Sequence, residues 1–230
     1  MQFVFDCGNG FCQHFTAKHF EAMDAKERMI EYHLKGRDIY DGRVLRAMHS
    51  INRELFVPDD VKHLAYDDCA LPIGGGQTIS QPYIVAFMAQ ALQLKPADKL
   101  LEVGSGCGYN AAVLSRLVSH VYSVEIIDWL AEKARRNLLK AGVHNVSVKH
   151  ANGYKGWPEK GPFDKIMLTA AAREVPEVLK KQLKTGGKIL APLGSTMQEL
   201  TLLEKFGEND FGKTELIHVR FVPMTSETEK

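Results

Sequence analysis

The spacing of apolar residues predicts helices near the start of the chain. One stretch, residues 20–36, has apolar residues at helical intervals and ends at Gly36, a residue type that often terminates helices. A second stretch, residues 41–51, begins with Asp41 at the expected N-cap position. Its apolar residues fall on one helical face: Val44, Leu45, Met48 and Ile51. Both stretches therefore predict amphipathic helices that bury one side.

From about residue 95 the pattern changes to short apolar strands that alternate with helices. The predicted strands cover residues 99–106, 120–126, 145–150, 163–171, 188–194, 198–206 and 214–224. The predicted helices cover residues 109–118, 128–142 and 176–187. Asp128 is the expected N-cap of the second of these helices and Gly142 its end, while Gly186 and Gly187 are expected to stop the third.

Strands that alternate with helices indicate a parallel, doubly wound sheet. The last two strands are separated only by the turn-rich "GENDFG", which predicts an antiparallel addition to that sheet. We therefore expect an α/β fold with a doubly wound, mostly parallel sheet and antiparallel C-terminal strands. We expect residues 1–60 to form an N-terminal helical appendage, of which residues 1–18 are irregular. Residues 61–230 are expected to form the sheet domain, and the appendage and this domain together are expected to form a single compact unit.

Composition and charge exclude several classes of protein. The chain has 230 residues and a net charge of +1, so bulk electrostatics predict no nucleic-acid or membrane partner. No apolar run approaches the length of a membrane span, and the N-terminus makes a poor signal peptide. The cysteine spacing suits neither a zinc site nor a disulfide framework: Cys7, Cys12, Cys69 and Cys107. We expect a cytoplasmic monomer with reduced thiols and no metal.

The sharpest local signal is the glycine-rich stretch "LLEVGSGCGYNAAVLSRL". Gly104, Gly106 and Gly108 lie where the first predicted strand turns into a helix, and glycine lets the backbone turn tightly and approach a ligand. A dinucleotide-binding motif would need glycine at the position of Tyr109, and a nucleoside triphosphate site would need a Walker lysine. The pattern therefore disfavours both classes, and a tight strand–helix turn without any ligand remains an alternative.

Two further residues lie at the carboxyl ends of the next two strands. Glu125 ends the second strand, where a carboxylate can accept hydrogen bonds from both hydroxyls of a ribose. Asn152 follows the third strand and could bond the edge of an adenine. Ligands bind at the carboxyl ends of strands in open α/β sheets, so these loops together indicate an adenosine-bearing ligand. Taken alone, Glu125 could equally be an ordinary solvated residue.

The motif "LEVGSGCGY" followed by Glu125 resembles motifs I and II of S-adenosylmethionine-dependent methyltransferases. The stretch "LPIGGGQTISQPYIVA", with "NGYKGWPEKGPFDKIMLTAAAREVPEVLKKQLKTGGKILAPLG" and "VRFVPM", resembles the protein-L-isoaspartate O-methyltransferases. The match covers about residues 20–225 with the motifs in order. It implies methyl transfer from S-adenosyl-L-methionine to the free carboxylate of L-isoaspartyl residues in damaged proteins and peptides, leaving S-adenosyl-L-homocysteine. The ester then collapses to a succinimide and partly to normal aspartate.

The resemblance also assigns roles to individual residues. Ser80 matches the active-site serine, and we expect it to orient the acceptor carboxylate, which is ionised near neutral pH and needs no general base. The implied cofactor contacts are Gln77, Thr78, Ile79, Val85, Glu102, Gly104, Ser105, Gly106, Gly108, Glu125, Ile126, Asn152, Gly153 and Thr225. The implied substrate contacts are Thr78, Ser80, Thr169 and Ala170. The three glycines Gly74–Gly76 that precede "QTIS" are expected to let this loop move and to let a peptide backbone come close.

Alternatives remain open at this stage. Ser80 could merely cap the helix that begins near Pro82. The family usually has aspartate where this chain has Asn152, and a neutral acceptor forms a hydrogen bond about half as strong as a charged one. This departure keeps open a cofactor-binding adaptor without catalysis, although the intact "QTIS" disfavours it. A methyltransferase of the same fold acting on another carboxylate or a small molecule is the second alternative.

Overall fold

The computed structural model describes residues 23–226. In chain order the strands are β1 (Leu71–Gly74), β2 (Gln77–Ile79), β3 (Lys99–Val103), β4 (His120–Glu125), β5 (Val146–His150), β6 (Phe163–Leu168), β7 (Leu183–Gly194), β8 (Gln198–Lys205) and β9 (Phe211–Val219). The helices are α1 (Ala25–Arg28), which continues as a π-helix (Met29–Lys35), α2 (Gly42–Ser50), α3 (Pro82–Ala91), α4 (Tyr109–Leu114), α5 (Asp128–Lys140) and α6 (Glu177–Lys181). Short 3₁₀ turns cover Arg53–Leu55, Asp59–Leu64, Gly153–Lys155 and Pro158–Lys160.

Seven strands form one mixed sheet in the order β5-β4-β3-β6-β7-β8-β9. The strands from β3 to β7 run parallel, and β8 and β9 add to one side in antiparallel fashion. The chain moves outward from β3 through β4 to β5 and then returns to the other side of β3 with β6, which creates a switch point between β3 and β6. The predicted fold class is confirmed, including the antiparallel C-terminal strands.

The sheet separates two clusters of buried side chains. Leu100 and Met167 belong to one cluster, whereas their neighbours Leu101 and Ile166 belong to the other, as expected because successive strand residues point to opposite faces. The first cluster also contains the buried faces of the π-helix, α2 and α3. The N-terminal helices therefore pack on the same apolar cluster as the sheet. The proposed division of the chain at residue 60 stays a prediction.

The first helix has a different form from the predicted one. A capping box starts it, because the Asp24 carboxylate accepts from the Glu27 N–H at 2.8 Å and the Glu27 carboxylate accepts from the Asp24 N–H at 3.1 Å. After one turn it widens into a π-helix, whose i→i+5 repeat places the fully buried Met29 and Leu34 on the same face. Residues 20–22 of the predicted helix lie outside the described residues.

The second helix agrees closely with its prediction. Asp41 is the N-cap, and its carboxylate accepts a hydrogen bond from the Arg43 N–H at 2.8 Å. The predicted apolar face is buried or partly buried against the core. The opposite face, which carries Arg46, His49 and Ser50, is exposed to solvent, as is typical of amphipathic helices.

Two predicted boundaries are wrong near the ends of helices. The helix expected over residues 176–187 stops at Lys181, because Leu183 pairs with Phe163 and both are buried in the sheet. Burial in the strand ladder outweighs the helical spacing of the sequence. The helix expected to be capped by Asp128 begins at that residue, with Ile127 as the N-cap. Its predicted end is correct, since Gly142 has a φ of 65° just after the last turn.

The last predicted strand is also shorter than expected. Strand β9 ends at Val219, opposite Gln198, the first residue of β8. Beyond this point β8 offers no further partner, so the chain leaves the sheet. We refer to residues 220–226 as the C-terminal strap, because this segment returns across the carboxyl ends of the strands. Between residues 23 and 226, no helix is both long and apolar enough to cross a membrane.

Candidate active site

The glycine-rich loop after β3 turns in a way that requires glycine. The φ angles of Gly104, Gly106 and Gly108 are 103°, 52° and 90°, a region that residues with a Cβ rarely adopt. A Cβ on Gly104 would lie 2.4 Å from the hydroxyl of Thr169, the residue that follows β6. That hydroxyl donates to the Gly104 carbonyl at 2.5 Å and lies 3.0 Å from the Val103 carbonyl. Thr169 thus clamps the loop from the neighbouring strand.

Glu125, at the end of β4, holds the same loop from the other side. Its Oε2 accepts from the Gly106 N–H at 2.8 Å, and its Oε1 accepts from the Ile127 N–H at 3.1 Å. Burial raises the pKa of this carboxyl, and the backbone donors oppose the rise. Each carboxylate oxygen has a second lone pair, so Glu125 can still accept hydrogen bonds from a pair of ligand hydroxyls.

Beneath the loop, Glu102 on β3 is fully buried in a polar network. Its Oε1 accepts from the Asn110 amide at 2.7 Å, and its Oε2 accepts from the Ser123 hydroxyl. The Ser123 oxygen lies 2.6 Å from the Ser105 oxygen, which extends the network into the glycine-rich loop. Burial raises the pKa of Glu102 to about 7 from its ordinary value of 4.5, although its hydrogen bonds oppose the rise. Glu102 therefore supports the loop from inside the protein.

The stretch before α3, expected as a flexible glycine-rich loop, is a β-hairpin. Strands β1 and β2 pair in antiparallel fashion, and the three glycines between them take φ angles of 100°, 59° and 69°. A Cβ on Gly75 would lie 2.9 Å from the Trp129 ring on α5. The Lys133 ammonium donates to the Ile73 carbonyl at 3.1 Å. The hairpin is therefore anchored on α5 beside the glycine-rich loop.

Ser80 connects the hairpin to α3. The N-cap of α3 is Gln81, which makes no side-chain capping bond, so the alternative that Ser80 only caps this helix is wrong. Asp68 performs the capping, because its carboxylate accepts from the Tyr83 N–H at 3.2 Å and from the Gln81 side chain at 2.8 Å. Arg37 forms an ion pair with Asp68 at 3.2 Å. This network fixes the backbone next to Ser80.

These elements surround a cavity at the carboxyl ends of β3, β4 and β6, which we call the strand-end cavity. Most of the predicted cofactor and substrate residues line it: Gln77, Thr78, Ile79, Ser80, Val85, Gly104, Ser105, Gly106, Glu125, Ile126, Gly153, Thr169, Ala170 and Thr225. Three predicted residues do not. Glu102 lies below the loop, Gly108 packs against α5 with Ala134, and the Asn152 side chain points to other partners.

A second cavity, which we call the side cavity, adjoins the first. It is lined by Ala70, Thr78, Ser80, Gln81, Ile84, Thr169, His218, Val219, Arg220, Phe221 and Val222. Four residues line both cavities: Thr78, Ser80, Thr169 and Val222. Two ligands, one in each cavity, would therefore meet beside Thr78, Ser80 and Thr169.

The family model described as protein-L-isoaspartate(D-aspartate) O-methyltransferase matches residues 24–229. The chain belongs to this family. A protein-L-isoaspartate O-methyltransferase 2 from Pelobacter propionicus is 49% identical over 201 residues, which are 86% of this chain and 89% of that protein. A protein-L-isoaspartate O-methyltransferase from Vibrio parahaemolyticus is 49% identical over 200 residues, which are 87% of this chain and 95% of that protein. The predicted family is confirmed.

Solved structures of the protein-L-isoaspartate O-methyltransferases share the fold. One has a TM-score of 0.79 and 32% identity, and the match covers 86% of this chain and 65% of that chain, so this chain spans about two thirds of its length. Another comes from Plasmodium falciparum and was determined in complex with S-adenosyl-L-homocysteine. It has a TM-score of 0.78 and 26% identity, and the match covers 89% of this chain and 100% of that chain.

Two parts of this methyltransferase site were not found from the sequence: a segment of the C-terminal strap and Asp68. Val222, Pro223 and Met224 of the C-terminal strap line the strand-end cavity, although the sequence pattern placed them in a strand. Asp68 sets the start of α3 from 15 residues away in the chain. The sequence gives no local signal for such a contact. The strap was within reach of sequence reasoning, because "VRFVPM" was part of the resemblance.

The buried Glu102 predicts a pH dependence of stability. The folded carboxyl keeps its proton up to about pH 7, whereas the unfolded one loses it near its ordinary pKa of 4.5. Its stabilising contribution is therefore present below 4.5 and is lost as the pH rises through 7. Replacing Glu102 by glutamine removes this titration. Between pH 6 and 8 the wild-type protein should lose about 1 kcal/mol of unfolding free energy that the variant retains.

Urea unfolding of both proteins at pH 6, 7 and 8 measures this difference. Other titrating groups contribute to both pH profiles and cancel when the two proteins are compared. Parallel profiles over this range would show that Glu102 is ionised throughout.

Proposed function

We propose that this chain transfers a methyl group from S-adenosyl-L-methionine to the free carboxylate of L-isoaspartyl residues in damaged proteins and peptides. The product of the cofactor would be S-adenosyl-L-homocysteine. The observation that carries the proposal is the meeting of two cavities at Thr78, Ser80 and Thr169. A group-transfer enzyme needs its donor and acceptor in contact, and here one wall is common to both sites.

The residues of the strand-end cavity fit the adenosine-bearing cofactor. Glu125 is 6% exposed and presents carboxylate oxygens with free lone pairs at the end of β4, where it would hold the ribose hydroxyls. Gly104 and Gly106 leave the floor of the cavity without Cβ atoms. When bound, S-adenosylmethionine supplies a methyl group activated by the positive charge of its sulfonium. Val85 and the strap residue Thr225 would contribute further contacts.

Ser80 and Thr78 would orient the acceptor. Neither hydroxyl has a hydrogen-bond partner elsewhere in the part of the chain that the structure describes, so both can donate to a carboxylate. A carboxylate is ionised at neutral pH, so no side chain has to remove a proton. The catalytic contribution of the chain is then positioning and the exclusion of water. Well-oriented reactants can lower a barrier by up to about 7–11 kcal/mol.

The side cavity would receive the damaged peptide. Arg220 lies on its wall, is exposed to solvent, and forms no ion pair with any residue between 23 and 226. Its guanidinium would attract the acceptor carboxylate toward Ser80. His218 lines the same cavity, and its Nδ1 lies 3.7 Å from Glu199 Oε1. Isoaspartyl proteins and peptides remain the predicted partners, and a cytoplasmic monomer remains the predicted state.

One assay tests the activity directly. The purified chain is incubated with S-adenosylmethionine carrying a labelled methyl group and with two peptides that differ only in an isoaspartyl or an aspartyl linkage. We expect base-labile label on the isoaspartyl peptide alone. Label on neither peptide, with intact binding of S-adenosylhomocysteine, would support the non-catalytic adaptor. Equal labelling of both peptides would support a methyltransferase for another carboxylate.

A further inference from the structure

The C-terminal strap forms one wall of the strand-end cavity. Four consecutive strap residues line the cavity: Val222, Pro223, Met224 and Thr225. The strap is not part of the main sheet, apart from one isolated bridge between Ala171 and Pro223. Its position therefore depends on individual hydrogen bonds rather than on a strand ladder. Whatever holds the strap also sets the shape of the cavity.

Hydrogen bonds hold the strap at its beginning and in its middle. At the beginning, the Gln198 side chain accepts from the Phe221 N–H at 2.7 Å and donates to the Phe221 carbonyl at 3.1 Å. In the middle, the Ala171 N–H donates to the Val222 carbonyl at 2.8 Å, and the Met224 N–H donates to the Ala171 carbonyl at 2.7 Å. These contacts connect the strap to β8 and to the segment after β6.

The end of the strap is held from the loop after β5. The Tyr154 hydroxyl donates to the Met224 carbonyl at 3.1 Å, and the Asn152 amide donates to the Ser226 carbonyl at 2.8 Å. Between these two residues, Gly153 lets the strap approach closely, because a Cβ there would lie 3.2 Å from the Met224 methyl group. The same Cβ would lie 2.6 Å from a methyl group of Val103.

The Asn152 side chain needs both a donor and an acceptor. Its Oδ1 accepts from the Tyr154 N–H at 2.9 Å, which fixes the side chain and caps the 3₁₀ turn Gly153–Lys155. Its Nδ2 then faces the Ser226 carbonyl. An amide supplies an acceptor on one side and a donor on the other, whereas an ionised carboxylate only accepts. An aspartate could keep the bond to the Tyr154 N–H, but it would place a carboxylate oxygen against the Ser226 carbonyl.

We propose that Asn152 is a positioning residue that fastens the end of the C-terminal strap and thereby shapes the cofactor cavity, without touching the cofactor itself. The side chain does not line the cavity, and both of its polar groups have protein partners. The cofactor part of this inference rests on the proposed function, whereas the fastening of the strap does not. Asn152 acts on the ligand only through strap residues such as Thr225.

The test compares the wild-type chain with Asn152→Asp at pH 7.5, where the new carboxyl is ionised. Hydrogen exchange of the Met224 amide, measured on the protein alone, reports whether the strap is fastened. We expect exchange to be about threefold to tenfold faster in the variant, since one hydrogen bond is lost and a repulsion is added. Calorimetry with S-adenosylhomocysteine should show an affinity lower by about the same factor.

Asn209→Asp is the matched control. It makes the same chemical change and adds the same charge at an exposed position between β8 and β9, so neither measurement should change. Unchanged exchange of the Met224 amide in Asn152→Asp would overturn the proposal, and so would an unchanged or higher affinity. If the wild-type chain fails to bind S-adenosylhomocysteine, the proposed function fails, and the exchange measurement still decides whether Asn152 fastens the strap.

Discussion

Replacing Ser80 by alanine should slow methyl transfer about tenfold to a hundredfold while the affinity for S-adenosylhomocysteine stays within about twofold. Ser80 lines both cavities, and its hydroxyl has no hydrogen-bond partner among residues 23–226, so it can donate to the acceptor. Such a hydrogen bond strengthens as the reacting groups align. Its loss therefore lowers the rate of methyl transfer and leaves the affinity for the cofactor nearly unchanged. One such bond corresponds to about 1–3 kcal/mol.

Three measurements on the Ser80→Ala variant separate the possible roles of the hydroxyl. These are turnover on an isoaspartyl peptide, affinity for S-adenosylhomocysteine and melting temperature. A covalent nucleophile would lose nearly all turnover, and the wild-type protein would show a kinetic burst. The melting temperature should hardly change, because Asp68 and not Ser80 caps α3. Ser195→Ala, in the exposed turn after β7, is the control. Full activity of Ser80→Ala would remove Ser80 from the acceptor site.

Replacing Glu125 by alanine should weaken cofactor binding by about 1.5–3 kcal/mol, which corresponds to about tenfold to more than a hundredfold in affinity. Two effects combine. The ribose loses a charged acceptor, and the Gly106 N–H and the Ile127 N–H lose the carboxylate that orients the loop. Glu125→Gln retains the shape of the side chain but replaces one acceptor oxygen by a donor group. We expect it to fall between wild type and Glu125→Ala.

Calorimetry with S-adenosylhomocysteine measures the affinity of the Glu125 variants, and a melting curve for each confirms that the protein is folded. A folded Glu125→Ala variant with wild-type affinity would exclude Glu125 from the cofactor site. A loss of affinity in both variants with an unchanged melting temperature would place the effect at the ligand rather than in the fold.

The sequence predicted the parts of the site that depend on local pattern. Gly104 follows β3 and Glu125 ends β4. Parallel strands bring their carboxyl ends to one edge of the sheet, so the proximity of the two residues could be expected. The hydrogen bond from Thr169 to the glycine-rich loop could not be expected, because Thr169 and Gly104 lie 65 positions apart in the chain. The resemblance assigns the Thr169 side chain to the substrate. Its additional contact with the glycine-rich loop depends on the pairing of β3 with β6.

Tertiary contacts decided the elements that the sequence pattern placed wrongly. Leu183 lies in a stretch whose apolar residues have helical spacing, which predicts a helix. Its pairing with Phe163 instead makes it the first residue of β7. The hairpin of β1 and β2 contains three glycines, which by pattern alone indicate flexibility. Its order comes from contacts with Trp129 and Lys133 on α5, about 55 residues further along the chain. The hydrogen bond from Asn152 to Ser226 could not be predicted either, because the two residues lie 74 positions apart in the chain.

The contact between the hairpin and Trp129 gives this enzyme an optical reporter of its own. The chain has only two tryptophans, Trp129 and Trp157. The Trp129 indole is 46% exposed, and the glycine turn of the hairpin covers part of its ring, so its emission depends on whether the hairpin is in place. Trp157 packs edge-on against Tyr122, far from that turn in the chain. With Trp157 replaced by phenylalanine, intrinsic fluorescence would follow the hairpin in real time without an added dye.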